Sequence, residues 1–163
     1  MVIPMSCAAW ICRAEQDPPW RARVAEEKEP GDRLIIRGRV LRSPGGAAAP
    51  GTAIMVYQTD AAGIYSEKQG HPRETARLRG RFVAGSNGEY EIVTIRPGPY
   101  PGGGVPAHIH VNLVETGKEP REIFEFFFSG DRYLKGGENG YVLRPGRDAR
   151  GAWVAAQDIT LNR

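Results

Sequence analysis

From Leu34 onward, apolar and polar positions alternate with a period of two. Leu34, Ile36 and Val40 alternate with Arg37 and Arg39, the pattern of a strand with one buried face. Ser43-Pro44-Gly45-Gly46 turns the chain, and Thr52 to Gln58 predicts a second strand. There Ile54, Val56 and Gln58 fall on one side and Met55 and Tyr57 on the other. Arg79 to Val83 and Glu89 to Ile95 flank Gly85-Ser86-Asn87-Gly88, which reads as a hairpin with a four-residue loop. Ala107 to Val114, Ile123 to Phe128 and Ala152 to Leu161 complete the predicted strands.

Two stretches between these strands resist regular structure. A long loop opens at Ala61-Ala62-Gly63, carries Tyr65 and runs to about Leu78. A second, Arg96 to Pro106, holds Pro97, Pro99, Pro101 and Pro106 among several glycines, with Tyr100 between them. Residues 1–32 read as an arm. Pro18-Pro19 breaks any helix there, and Glu26 to Asp32 is a charged linker. Many short strands, 21 Gly and 13 Pro, and no amphipathic helix predict an all-β fold. It is expected to be an antiparallel β-sandwich over residues 33–163, with long loops and an irregular N-terminal arm.

The 163 residues suffice for one domain with its own core. A net charge of +3, with arginines scattered rather than clustered, does not point to nucleic acid. No apolar run reaches membrane-spanning length, and the opening residues lack the basic start of a secretory leader, so a cytoplasmic location is expected. Cys7 and Cys12 both lie in the arm and cannot brace the domain. Trp10 and Trp20 in the same arm could clasp a second copy of the chain.

The candidate chemistry centres on His108-Ile109-His110. Two residues apart on a strand, the imidazoles project from one face while Ala107, Ile109, Val111 and Leu113 supply the apolar face opposite. Such a pair is either two surface histidines or half of a metal site, imidazole being the commonest protein metal ligand. With no cysteine in the domain, thiolate sites are excluded. Glu115 and Glu125 are the nearest carboxylates, so a site of two histidines and one carboxylate stays open. Tyrosine is the other candidate donor. Tyr100 stands eight residues before His108, and Tyr65 sits on the other long loop. Phenolate is a hard anionic donor suited to Fe(III), and a trivalent ion favours the ionised phenol. The plainer role for either loop tyrosine is packing with a hydrogen-bonded hydroxyl.

Several motifs occur in a particular order: Tyr-Gln-Thr-Asp-Ala-Ala-Gly-Ile-Tyr (57–65), Leu-Arg-Gly-Arg (78–81), Asn-Gly-Glu-Tyr (87–90), Thr-Ile-Arg-Pro-Gly-Pro-Tyr-Pro (94–101), Pro-Ala-His-Ile-His-Val (106–111) and Phe-Phe-Ser-Gly-Asp (127–131). From about Leu34 to Tyr133 the chain resembles the intradiol ring-cleavage dioxygenases, the protocatechuate 3,4-dioxygenase and catechol 1,2-dioxygenase family. The resemblance implies a non-haem Fe(III) held by Tyr65, Tyr100, His108 and His110. It also implies a catechol-type substrate cleaved with dioxygen to a cis,cis-muconate. Tyr100 would leave the metal and take up a substrate proton, and Tyr65 would stay.

Two positions depart from the family pattern. Val105 stands where an arginine usually precedes Pro-Ala-His-x-His, and Glu125, a candidate catalytic residue, stands where the family has glutamine. Arg73, Arg79 or Arg81 could supply the missing positive charge. A sandwich that binds phenolics or carbohydrate with weakened or lost catalysis is the alternative. A zinc or ferrous hydrolase using His108, His110 and Glu125 is a third.

Overall fold

The computed structural model describes residues 17–66, 70–114 and 121–161. Two sheets face one another. The first has the order β1-β5-β2-β10-β9, formed by Arg21–Arg23 (β1), Arg33–Leu41 (β2), Glu89–Ile95 (β5), Gly146–Arg147 (β9) and Trp153–Ala156 (β10). Ile159–Thr160 (β11) also pairs with β2. The second has the order β4-β3-β6-β7-β8, formed by Ala53–Gln58 (β3), Leu78–Val83 (β4), His108–Val114 (β6), Arg121–Phe128 (β7) and Gly140–Leu143 (β8). One helical turn, Pro72–Thr75 (α1), interrupts the long loop before β4.

Alternation along each strand explains why the sheets stack. Leu34 and Ile36 of β2, Ile92 of β5, Ile54 and Val56 of β3, Ile109 and Val111 of β6, and Phe126 and Phe128 of β7 are all fully buried between the layers. Each such side chain stabilises the fold by about 1.5–3 kcal/mol relative to exposure. The residues between them on the second sheet point outward. On that face the strand register lines up Arg79, Tyr57, His110 and Glu125 as one cross-strand row.

The all-β sandwich matches the sequence expectation, with differences of detail. The central pairs are antiparallel, but β1 on β5, β10 on β2, β11 on β2 and β8 on β7 are parallel. Val24 and Ala25 of the expected arm are buried, whereas Glu26 to Asp32 is largely exposed. Cys7, Trp10 and Cys12 lie outside the described residues. The last expected strand is broken into β10 and β11 at Gln157 and Asp158.

The expected β4–β5 hairpin is not formed. Gly85-Ser86-Asn87-Gly88 does make a tight turn, closed by Gly88 N–H to the Gly85 carbonyl at 2.9 Å. But β4 pairs with β3 in one sheet, while β5 is taken along its whole length by β2 in the other. The turn is therefore a corner between layers, held by the Val40 amide donating to the Gly88 carbonyl at 2.7 Å.

Candidate metal centre

His108 and His110 open β6 on its outward face, with Ile109 buried between them. The chain is fixed just before them by Asp131. Its carboxylate accepts from the Ala107 amide at 2.9 Å and from the Tyr133 amide at 2.9 Å. The His108 Nδ1 sits 2.8 Å from the Pro106 carbonyl, which can only accept, so this nitrogen carries the proton. The His110 Nδ1 faces Oε1 of Glu125, its neighbour across the β6–β7 ladder, at 3.1 Å. Tyr57, the neighbour on the other side, stacks on the His110 ring with centroids 4.4 Å apart and planes 13° from parallel.

Tyr65 and Tyr100 come from two loops that dock backbone to backbone. Asp60 folds the first loop by accepting the Ala62 and Ile64 amides on its carboxylate, at 2.9 and 3.0 Å. The Gly98 amide then donates to the Asp60 carbonyl at 2.8 Å, and the Thr59 hydroxyl donates to the Gly98 carbonyl at 2.8 Å. Gly63 has φ +83°, and a Cβ there would collide with the Pro99 carbonyl; only glycine permits this approach. Behind the loops, buried Gln58 accepts the Thr94 hydroxyl at 2.8 Å and donates to the Ile95 carbonyl at 3.0 Å. This ties the end of β3 to the end of β5, across the two sheets.

The four side chains meet in a closed ring. The Tyr65 and Tyr100 hydroxyls are 2.6 Å apart, and the Tyr65 hydroxyl is 2.9 Å from His110 Nε2. The Tyr100 hydroxyl is 3.3 Å from His108 Nε2, and the two Nε2 atoms are 3.0 Å apart. The Pro106 carbonyl and the Glu125 carboxylate claim the Nδ1 protons, which leaves the Nε2 atoms as the lone-pair nitrogens of the two rings. The ring then has four contacts but only the two phenol protons to fill them. Two contacts are left lone pair against lone pair, which is unfavourable in a partly buried site. A cation shared by the four atoms removes the conflict, so the donor set fits a metal ion, and two phenolic oxygens suit a hard one.

Burial holds the His108 imidazole below its ordinary range, which keeps it neutral. Burial, reinforced by the Tyr100 hydroxyl, pushes the Tyr65 phenol well above its usual value. Without a cation this phenol stays protonated. Glu125 is held below the usual carboxylate range, first by its contact with His110.

His108, His110 and Glu125 also bring ligand atoms within 4.8 Å of one another, so a two-histidine, one-carboxylate group exists. Yet Glu125 addresses Nδ1 of His110, while both Nε2 atoms face the tyrosines. The carboxylate therefore backs one imidazole instead of joining the ring. Glu125, Tyr65, Tyr100, His108 and His110 are thus brought together. Tyr57 and Asp131 were missed. Tyr57 could have been suspected from its outward parity on β3, but strand register is not readable from one sequence.

A cleft of about 340 Å³ reaches Tyr100, His108 and His110 and is walled by Val105, Pro106 and Phe127. A larger hollow of about 580 Å³, lined in part by Leu41, Pro44, Tyr141 and Thr160, shares no residue with it. Among the described residues, no arginine lines the cleft. Arg79 donates to the Ala76 carbonyl at 2.6 Å, Arg81 is exposed on β4, and the Arg73 side chain lies outside what is described.

Fold and donor set define a β-sandwich protein with a tyrosine–histidine site suited to a hard cation. A family model described as dioxygenase matches residues 7–146. The protocatechuate 3,4-dioxygenase beta chain of Burkholderia cepacia is 34% identical over 113 residues, 64% of this chain and 48% of that protein. A chlorocatechol 1,2-dioxygenase of Rhodococcus opacus is 34% identical over 123 residues, 65% of this chain and 47% of its own length. The chain spans about half the length of these curated relatives. The solved dioxygenase domain of a dioxygenase carbohydrate-binding protein fusion from Streptomyces sp. SirexAA-E shares its fold. It has a TM-score of 0.71 at 24% identity, over 90% of each chain. The chain belongs to the intradiol ring-cleavage dioxygenase family.

Proposed function

We propose that this chain binds one ferric ion through Tyr65, Tyr100, His108 and His110 and uses it to cleave catechol-type rings with dioxygen to cis,cis-muconate-type products. The observation that carries this reading is the closed ring of two phenol oxygens and two Nε2 lone pairs, with contacts of 2.6 to 3.3 Å. Family membership and the names of the relatives support the reaction class. Ferric iron, when bound, acts as a Lewis acid and activates the aromatic diol toward dioxygen.

The protein's own contribution follows from its geometry. Tyr100 lines the cleft and Tyr65 does not, so Tyr100 meets the incoming diol and accepts a proton from it. Tyr65, between Tyr100 and His110, stays in place. Phe127, Val105 and Pro106 give the ring apolar walls and limit water. Glu125 and Tyr57 hold the His110 ring at its angle from the edge and the face.

The test is a visible absorption spectrum of the iron-loaded chain with and without catechol, alongside oxygen uptake. A phenolate-to-iron band that shifts on catechol addition is expected. A colourless protein carrying one iron per chain would overturn the assignment of the tyrosines. A second reading, catalysis weakened while the site is kept, is favoured by the lack of an arginine among the described residues of the cleft. It predicts the shifted band without oxygen uptake.

A further inference from the structure

Two carboxylates share the cleft with the tyrosine–histidine ring. Glu125 stands on β7, and Glu138 stands on the turn leading into β8. They reach one edge because the Glu125 amide donates to the carbonyl of Asn139, the residue after Glu138, at 3.2 Å. The Glu138 carboxylate is held there by the Lys135 and Gly136 amides, which donate to its Oε1 at 2.6 and 3.0 Å. Backbone amides fix its position without removing its negative charge.

Among the described residues, no lysine or arginine side chain lines the cleft. Described cations on neighbouring segments are engaged elsewhere or exposed. Arg132 donates to the Tyr133 hydroxyl at 2.7 Å, Arg79 is bound to the Ala76 carbonyl, and Lys135 is exposed on the turn, where it offsets part of the Glu138 charge. A guest in this cleft therefore meets apolar walls and a negative edge.

We infer that the cleft selects catechols whose ring substituent is neutral or cationic, such as an aminoalkyl chain, and disfavours those bearing a carboxylate. This rests on the ring-cleavage reading above. A substituent carboxylate would sit beside two like charges in a partly enclosed site, whereas an ammonium group would find partners in both.

Three catechols with short para substituents separate the cases: 3,4-dihydroxyphenylacetate, 4-ethylcatechol and dopamine. Their dissociation constants from the metal-loaded full chain are measured by calorimetry, and kcat/KM by oxygen uptake. The acetate is expected to bind about tenfold more weakly than the ethyl compound, and dopamine at least as tightly as the ethyl compound. Raising the salt should compress both differences, because screening acts on the charge term alone. Glu138→Gln should bring the acetate closer to the ethyl compound. An acetate that binds as tightly as the ethyl compound, or a ranking insensitive to both salt and Glu138→Gln, overturns the inference. Binding in the expected order without cleavage of any compound would sink the ring-cleavage reading but leave the charge preference standing. Failure of all three to bind overturns both.

Discussion

The Tyr57 ring lies flat on the His110 imidazole, centroids 4.4 Å apart, because the two residues are direct partners across the β3–β6 ladder. A stacked aromatic restrains the imidazole plane without competing for its nitrogens. Tyr57→Ala should weaken iron binding by about 10- to 100-fold, the range typical when the support of a metal-bound histidine is lost. Tyr57→Phe should keep most of the affinity. Competition titration against a calibrated chelator reads both.

Replacing donors one at a time separates structure from ligation. Tyr65→Phe removes the hydroxyl that contacts both Tyr100 and His110. Folding should survive, and the visible band should be lost or strongly shifted. His108→Ala should abolish stoichiometric iron, as measured by elemental analysis of the purified protein.

Gly63 is the tightest point between the two tyrosine-bearing loops. Gly63→Ala places a Cβ against the Pro99 carbonyl at a φ of +83°. It should destabilise the fold by about 2–4 kcal/mol and lower iron uptake as Tyr65 and Tyr100 separate. Gly102→Ala is the control. Its Cβ meets nothing within 4 Å, and the effect should stay within about 0.5 kcal/mol. Urea denaturation measures both.

Alkaline pH should destabilise the metal-free protein. Tyr90 is buried and donates to the carbonyl of Gln157, which lies between β10 and β11. Burial, with Asp158 and Tyr141 adding, pushes its ionisation well above the ordinary value. Tyr65 shifts in the same direction. The folded chain keeps protons that the unfolded chain gives up near pH ~10. The stabilisation is therefore complete below about pH 10 and declines as pH rises above it. Tm measured from about pH 8 to about pH 11 should fall at the upper end, less steeply in Tyr90→Phe. That variant should itself lose about 1 kcal/mol from the missing hydrogen bond.

Strands whose alternation is strong were legible in the sequence. The inward parity of Ile54 and Val56, and of Ile109 and Val111, is the parity observed. So is the outward pairing of His108 and His110. The short edges were not legible. Residues 21–23 and 140–143 are too brief to show a period, and each joins its sheet by parallel pairing with a longer strand. The Asn87-Gly88 turn misled because local turn chemistry says that the chain reverses, not which layer receives it. The tyrosines could be singled out by type and motif, but that Asp60, Gly63 and Gly98 lock their loops together follows only from tertiary contact.

Tyr65 and His110 are 45 residues apart along the chain, and β4 and β5 lie between them, one in each layer. An ion gripped by both would act as a removable tether across that span. Stripping it would be felt well beyond the cleft, as faster amide exchange in strands that never touch the metal.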